Sequence, residues 1–161
     1  MKPRVYVETT IISYLTAWRS PQLVMAAHQE ATRQWWDDER QHFDLFVSEA
    51  VTQEASAGDA EAARKRLEVI QEIANLEITG EARGLAGALI ENAQLPHKAG
   101  LDALHIATAT VNGMDFLLTW NCRHIANATL QRSMRSTCEN LGYALPILCT
   151  PIELTEAPHD D

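Results

Sequence analysis

The sequence predicts an α/β fold, a mostly parallel central sheet flanked by helices, and three observations carry that expectation. Short β-branched or apolar runs alternate with longer segments of helical apolar spacing, an order that implies parallel pairing with helices on both faces of the sheet. The length of 161 residues suits a single domain able to bury a sizeable core, and 46% apolar content is ordinary for a globular chain. No repeat, low-complexity segment or linker rich in Gly, Pro or Ser interrupts the chain. We expect one domain over 1–152 and an acidic C-terminal tail over 153–161.

The elements follow in order. Arg4 to Val7 is short and β-branched and reads as the first strand, with Thr9 and Thr10 as N-cap candidates for the helix after it. Ile11, Ile12, Tyr14 and Leu15 give that helix an apolar face up to about Trp18. Ser20-Pro21 reads as an N-cap followed by proline in a first turn, opening a long helix through Leu23, Val24, Ala27, Ala31 and Trp35. Phe43 to Val47 is the second strand, and Ser48 caps a helix bearing Glu49 and Glu54. Gly58 breaks the pattern, and Asp59 caps a helix with Ala63, Leu67 and Ile70 on one face. A short strand over Leu76 to Ile78 precedes a helix that starts at Thr79-Gly80 and ends near Pro96. A further helix from Ala99 to Asn112 closes at Gly113. Asp115 to Thr119 is the next strand, Ile125 to Leu141 is mostly helical, and Pro146 to Cys149 is the last strand.

Composition narrows the function. A formal net charge of −9 argues against coating nucleic acid through overall charge, but not against a local grip on a few phosphates. Such a domain has a use for a bound cation or a basic partner segment. No apolar run approaches membrane-spanning length, and the apolar run at the start is too short for a signal peptide. Cys122, Cys138 and Cys149 lack a C-x-x-C spacing and read as reduced thiols, which points to the cytoplasm.

In parallel α/β folds chemistry sits beyond the carboxyl ends of the strands. Two polar residues stand there: Glu8 after the first strand and Asn121 after the strand ending at Thr119. Asp102 opens a strongly apolar helix one turn before His105. It can serve the helix dipole, or, if buried, it needs a partner such as a cation. His105 reads as a packed, hydrogen-bonded histidine rather than a ligand. Trp18, Trp35 and Trp36 could stack on bases, but read rather as core or interface, with the interface favoured.

Four stretches occur in one order: Val-Tyr-Val-Glu-Thr-Thr-Ile-Ile-Ser-Tyr-Leu, Val-Ser-Glu-Ala-Val-Thr-Gln-Glu, Asp-Ala-Leu-His-Ile-Ala-Thr-Ala and Leu-Leu-Thr-Trp-Asn-Cys-Arg-His-Ile-Ala-Asn. Together, from Val5 to about Pro151, they resemble PIN-domain proteins, and within them the VapC-type toxins of toxin–antitoxin pairs. The resemblance implies a PIN-like three-layer fold, a pocket of acidic residues holding Mg²⁺ or Mn²⁺, and cleavage of single-stranded RNA. It also implies a small antitoxin partner and a homodimer. Matched position by position, the metal and catalytic sites fall on Glu8, Glu54, Asp102 and Asn121. Glu54 is preferred to Glu49, which is placed like an ordinary first-turn acid. Thr9, Thr119, Arg123 and His124 are supporting or RNA-contact candidates.

Two positions depart from the family pattern. Glu8 stands where Asp is usual, and Asn121 where many members carry a further acid. These departures sustain a second reading, a PIN module with weakened cleavage that binds RNA or a protein partner.

Overall fold

The computed structural model of the chain describes residues 1–156. Strand β1 (Arg4–Val7) runs into helix α1 (Thr9–Thr16), and α2 (Leu23–Gln34) follows. α2 continues through a π-helical turn at Trp35–Glu39 and a 3₁₀ turn at Arg40–His42. Then come β2 (Asp44–Ser48), α3 (Glu49–Ala55), α4 (Ala60–Ile70), β3 (Ala74–Leu76) and α5 (Gly80–Asn92). After a 3₁₀ turn at His97–Ala99 the chain forms α6 (Gly100–Val111), β4 (Phe116–Leu118), α7 (Ala128–Asn140) and β5 (Ile147–Cys149). Each expected strand and helix is present, with ends shifted by a few residues.

All the strand pairs are parallel, in the order β3-β2-β1-β4-β5. The registers place Val7 beside Leu118, and Phe46 beside both Tyr6 and Ala74. From β1 the chain first builds outward through β2 and β3, then returns to the other side of β1 for β4 and β5. The order therefore reverses between β1 and β4, and such folds place their sites beyond the carboxyl ends of the strands at that switch point. Val5, Tyr6 and Val7 are fully buried, as are Leu117 and Leu118, as expected of central strands covered on both faces. Helix α1 packs on α2, α3 and α4, while α5 packs on α6 and α7.

Local chemistry explains where helices start. Asp59 and Thr79 cap α4 and α5 by accepting from Ala62 N and Ala82 N, and Asn127 caps α7 by accepting from Thr129 N. The start of α1 differs from expectation. Glu8 itself occupies the N-cap position, and its carboxylate accepts from Thr10 N. Ser48 stands at the N-cap of α3, but its hydroxyl is paired with Tyr6 and makes no cap hydrogen bond. Gly113 closes α6 with φ of +69°, a backbone conformation open to glycine at little cost.

The three tryptophans divide between core and surface, with Trp35 and Trp36 in ring contact at 6.5 Å between centroids. Trp35 is core, stacked on Phe43, and its Nε1 donates to Leu154 O at 2.7 Å. Trp18 is exposed with Lys65 over its ring, and Trp36 is covered by Arg40. Leu154 is buried against the core, and residues 157–161 of the expected tail lie outside the described residues.

Candidate metal centre

The switch point between β1 and β4 gathers three ligand-bearing side chains. One ligand atom each from Glu8, Glu54 and His105 lies within 4.8 Å of the others. Glu8 follows β1 directly. Glu54 comes from the last turn of α3, and His105 from the buried face of α6.

Glu8 is almost wholly buried, and its Oε2 accepts three hydrogen bonds: Thr10 N at 3.0 Å, Thr10 Oγ1 at 2.5 Å and Thr119 Oγ1 at 2.8 Å. Both hydroxyls are committed to this direction. Thr10 Oγ1 accepts from Trp120 N at 2.8 Å, and Thr119 Oγ1 accepts from Asn121 N at 2.9 Å. Each then has a single proton, which points at Glu8. Because all three bonds fall on Oε2, Oε1 is left for the pocket. Burial pushes the Glu8 carboxyl above the ordinary carboxylate range, and the His105 charge and the threonine hydrogen bonds only partly offset it.

Glu54 is half-buried and behaves oppositely. Burial works to raise its carboxyl, but the hydrogen bond and charge of His105, with the Thr9 hydroxyl at 2.8 Å, outweigh burial and hold it low. His105 is fully buried. Its Nε2 bonds Glu54 Oε1, and its Nδ1 lies 2.6 Å from the Tyr6 hydroxyl, which in turn lies 2.8 Å from Ser48 Oγ. Burial of Tyr6 drives its hydroxyl far above the ordinary range, so it stays a neutral phenol.

The donor chemistry of this pocket fits a divalent ion. A carboxylate forced into the interior needs a positive partner, and two carboxylates with an imidazole nitrogen supply a cation's ligands at one point.

The residues expected from the sequence divide into two groups. Glu8 and Glu54 meet in the pocket, and Thr119 and Thr9 hold one carboxylate each. Asp102 and Asn121 are engaged elsewhere. Asp102 Oδ2 pairs with His124 Nδ1 at 3.0 Å, and Asn121 Oδ1 accepts from His124 N at 3.0 Å within its own turn. All three are partly exposed, and Arg123 is exposed. Asp102 precedes His105 by three residues, so both lie on one face of α6. Glu49 is exposed.

Two members of the pocket were not expected there. His105 reads from sequence as a packing residue; it packs, and it also faces Glu54. The available signal was its i+3 spacing from Asp102. Thr10 binds Glu8 through both its amide and its hydroxyl instead of capping a helix.

No family model matches the chain, and no curated protein matches it. Among solved structures it is similar to Mycobacterium tuberculosis VapC20, a toxin that cleaves the sarcin-ricin loop. The identity is 13% and the TM-score 0.58, over 74% of this chain and 91% of that one. A likeness at that identity concerns the fold, and it bears out the PIN-like three-layer architecture implied by the ordered motifs.

Proposed function

We propose that this chain is a divalent-metal-dependent endoribonuclease that cleaves single-stranded RNA and acts as the toxin of a toxin–antitoxin pair. The observation that carries this reading is the convergence of Glu8 and Glu54 at the switch point of a PIN-like sheet, with Glu8 buried at the cost of its own ionisation. The VapC toxin that shares this fold cleaves the sarcin-ricin loop, which supports a cleavage reaction of that class here.

Glu8 and Glu54 would hold Mg²⁺ or Mn²⁺, with Asp102 helping directly or through water. Such an ion, when bound, polarises a phosphodiester and lowers the pKa of an attacking water. The chain's own part is positional. Thr10 and Thr119 lock the Glu8 carboxylate, and Thr9 and His105 orient Glu54. Asn121, Arg123 and His124 line the loop after β4 as contacts for the RNA backbone, with the Asn121 amide as donor to a phosphate. Among the described residues no helix is long and apolar enough to cross a membrane. A cytoplasmic setting, a small antitoxin and a homodimer complete the reading.

The pairing of Asp102 with His124 favours the second reading, a module with weakened cleavage, because it takes one acid away from the pocket. Purified protein incubated with single-stranded RNA and Mg²⁺ or Mn²⁺ separates the two. The nuclease reading expects cleavage that EDTA abolishes and Asp102→Asn lowers. RNA binding without cleavage under either metal would overturn it.

A further inference from the structure

We infer that His105 is itself a ligand of the ion held by Glu8 and Glu54, and that its nitrogen makes the site select Mn²⁺ over Mg²⁺. The inference rests on the metal-centre reading above and deepens it.

The imidazole is fully buried and held from behind. Tyr6 Oη sits against Nδ1 at 2.6 Å, while Nε2 faces the Glu54 carboxylate inside the pocket. A histidine that ligates metal through one nitrogen keeps its proton on the other and donates it to a fixed acceptor. The Tyr6 oxygen is that acceptor. It can take the Nδ1 proton because its own hydrogen can turn to Ser48 Oγ, 2.8 Å away. In the metal-free pocket Nε2 faces the Glu54 carboxylate with a proton between them, and the ion takes that proton's place. In the loaded pocket the ring proton sits on Nδ1. The proton displaced from Nε2 leaves to solvent, and the one on Nδ1 is donated to Tyr6 Oη.

The donor set decides the ion. Mg²⁺ favours oxygen ligands and parts reluctantly with its waters; imidazole nitrogen suits first-row transition ions, and Mn²⁺ is the member of that row that also shares the preference of Mg²⁺ for carboxylates. Two carboxylates and one imidazole therefore form a site for Mn²⁺ that Mg²⁺ fills poorly. Tyr6 and Ser48 are positioning residues in this scheme, acting through the ring.

The test needs no substrate. Full-length protein stripped with EDTA is loaded with Mn²⁺ and read by pulsed electron paramagnetic resonance for coupling to a directly bound ¹⁴N. The expected spectrum shows one such nitrogen, and Mg²⁺ displaces the Mn²⁺ only at more than about tenfold excess. The coupling should persist in His124→Gln and vanish in His105→Gln. Tyr6→Phe should keep the coupling yet weaken Mn²⁺ binding about tenfold or more. If His105→Gln does not fold, the wild-type and His124→Gln spectra decide. Mn²⁺ bound in a Glu8-dependent way but without nitrogen coupling would overturn the inference and leave the metal centre standing. So would a coupling that His124→Gln removes. Failure to bind Mn²⁺ at all would overturn the metal-centre reading itself, and this inference with it.

Discussion

The Tyr6 hydroxyl lies 2.6 Å from His105 Nδ1, tying the middle of the central strand to the buried face of α6. Ser48, at the end of β2, completes the contact from the neighbouring strand. One phenol thus fixes the imidazole that forms the floor of the acidic pocket, and the pocket inherits the rigidity of the sheet.

Removing that hydroxyl should destabilise the protein measurably. In Tyr6→Phe, Ser48 Oγ and His105 Nδ1 both lose a buried partner. The expected loss is about 1–3 kcal/mol, the cost of stranding buried polar groups. Urea denaturation should show a lower midpoint with an unchanged slope. A midpoint equal to that of the wild type would mean the phenol has no structural weight.

The two pocket carboxylates should impose opposite pH dependences on the metal-free protein. Glu8 is raised by burial, so its contribution is fully present below the ordinary value near 4.5 and is lost as pH rises through the folded value. Glu54 is lowered, because the His105 and Thr9 contacts outweigh its burial. Its contribution is present above that ordinary value and is lost as pH falls through the folded one. In EDTA at neutral pH, Glu8→Gln should therefore be more stable than wild type, since the amide has no ionisation for burial to oppose while a carbonyl acceptor for Thr10 N stays. The gap should widen with rising pH in thermal melts. Saturating Mn²⁺ should narrow or reverse it, because binding stabilises the native state that holds the ion. A wild type more stable than Glu8→Gln in EDTA would contradict the account.

Asp102→Asn should separate function from folding. The Asp102–His124 pair is partly exposed, and pairs of that kind contribute up to about 1 kcal/mol. The expected variant melts close to wild type. Its RNA cleavage falls about 10–100-fold, in the range seen when a group that supports a metal ligand is removed. A normal rate would exclude Asp102 from the reaction.

The sequence was most informative where one residue answers to one local rule. Strand β1 has the expected bounds, Asp59 and Thr79 cap their helices, and Gly113 closes α6, because each depends on the chemistry of a few neighbours. Glu8 was legible from its place after a strand, and Glu54 from the ordered motifs. The meeting of Glu54 with His105 across 51 positions was not, since it depends on how α3 and α6 pack. Nor was the commitment of Asp102 and Asn121 to His124, since the turn after β4 meets α6 only in the folded chain. Trp35 stood open between core and interface for a similar reason. Its place in the core follows from the π-helical turn and from Leu154 folding back, neither of which has a local signature.

If Glu8 holds the ion on which RNA cleavage depends, single-turnover cleavage by Glu8→Gln is the measurement that decides it. Expected is a rate at least about 100-fold below wild type with saturating Mn²⁺, from a variant that is folded and, without metal, the more stable of the two. Wild-type cleavage by Glu8→Gln, still abolished by EDTA, would contradict the account by showing that the ion is held elsewhere.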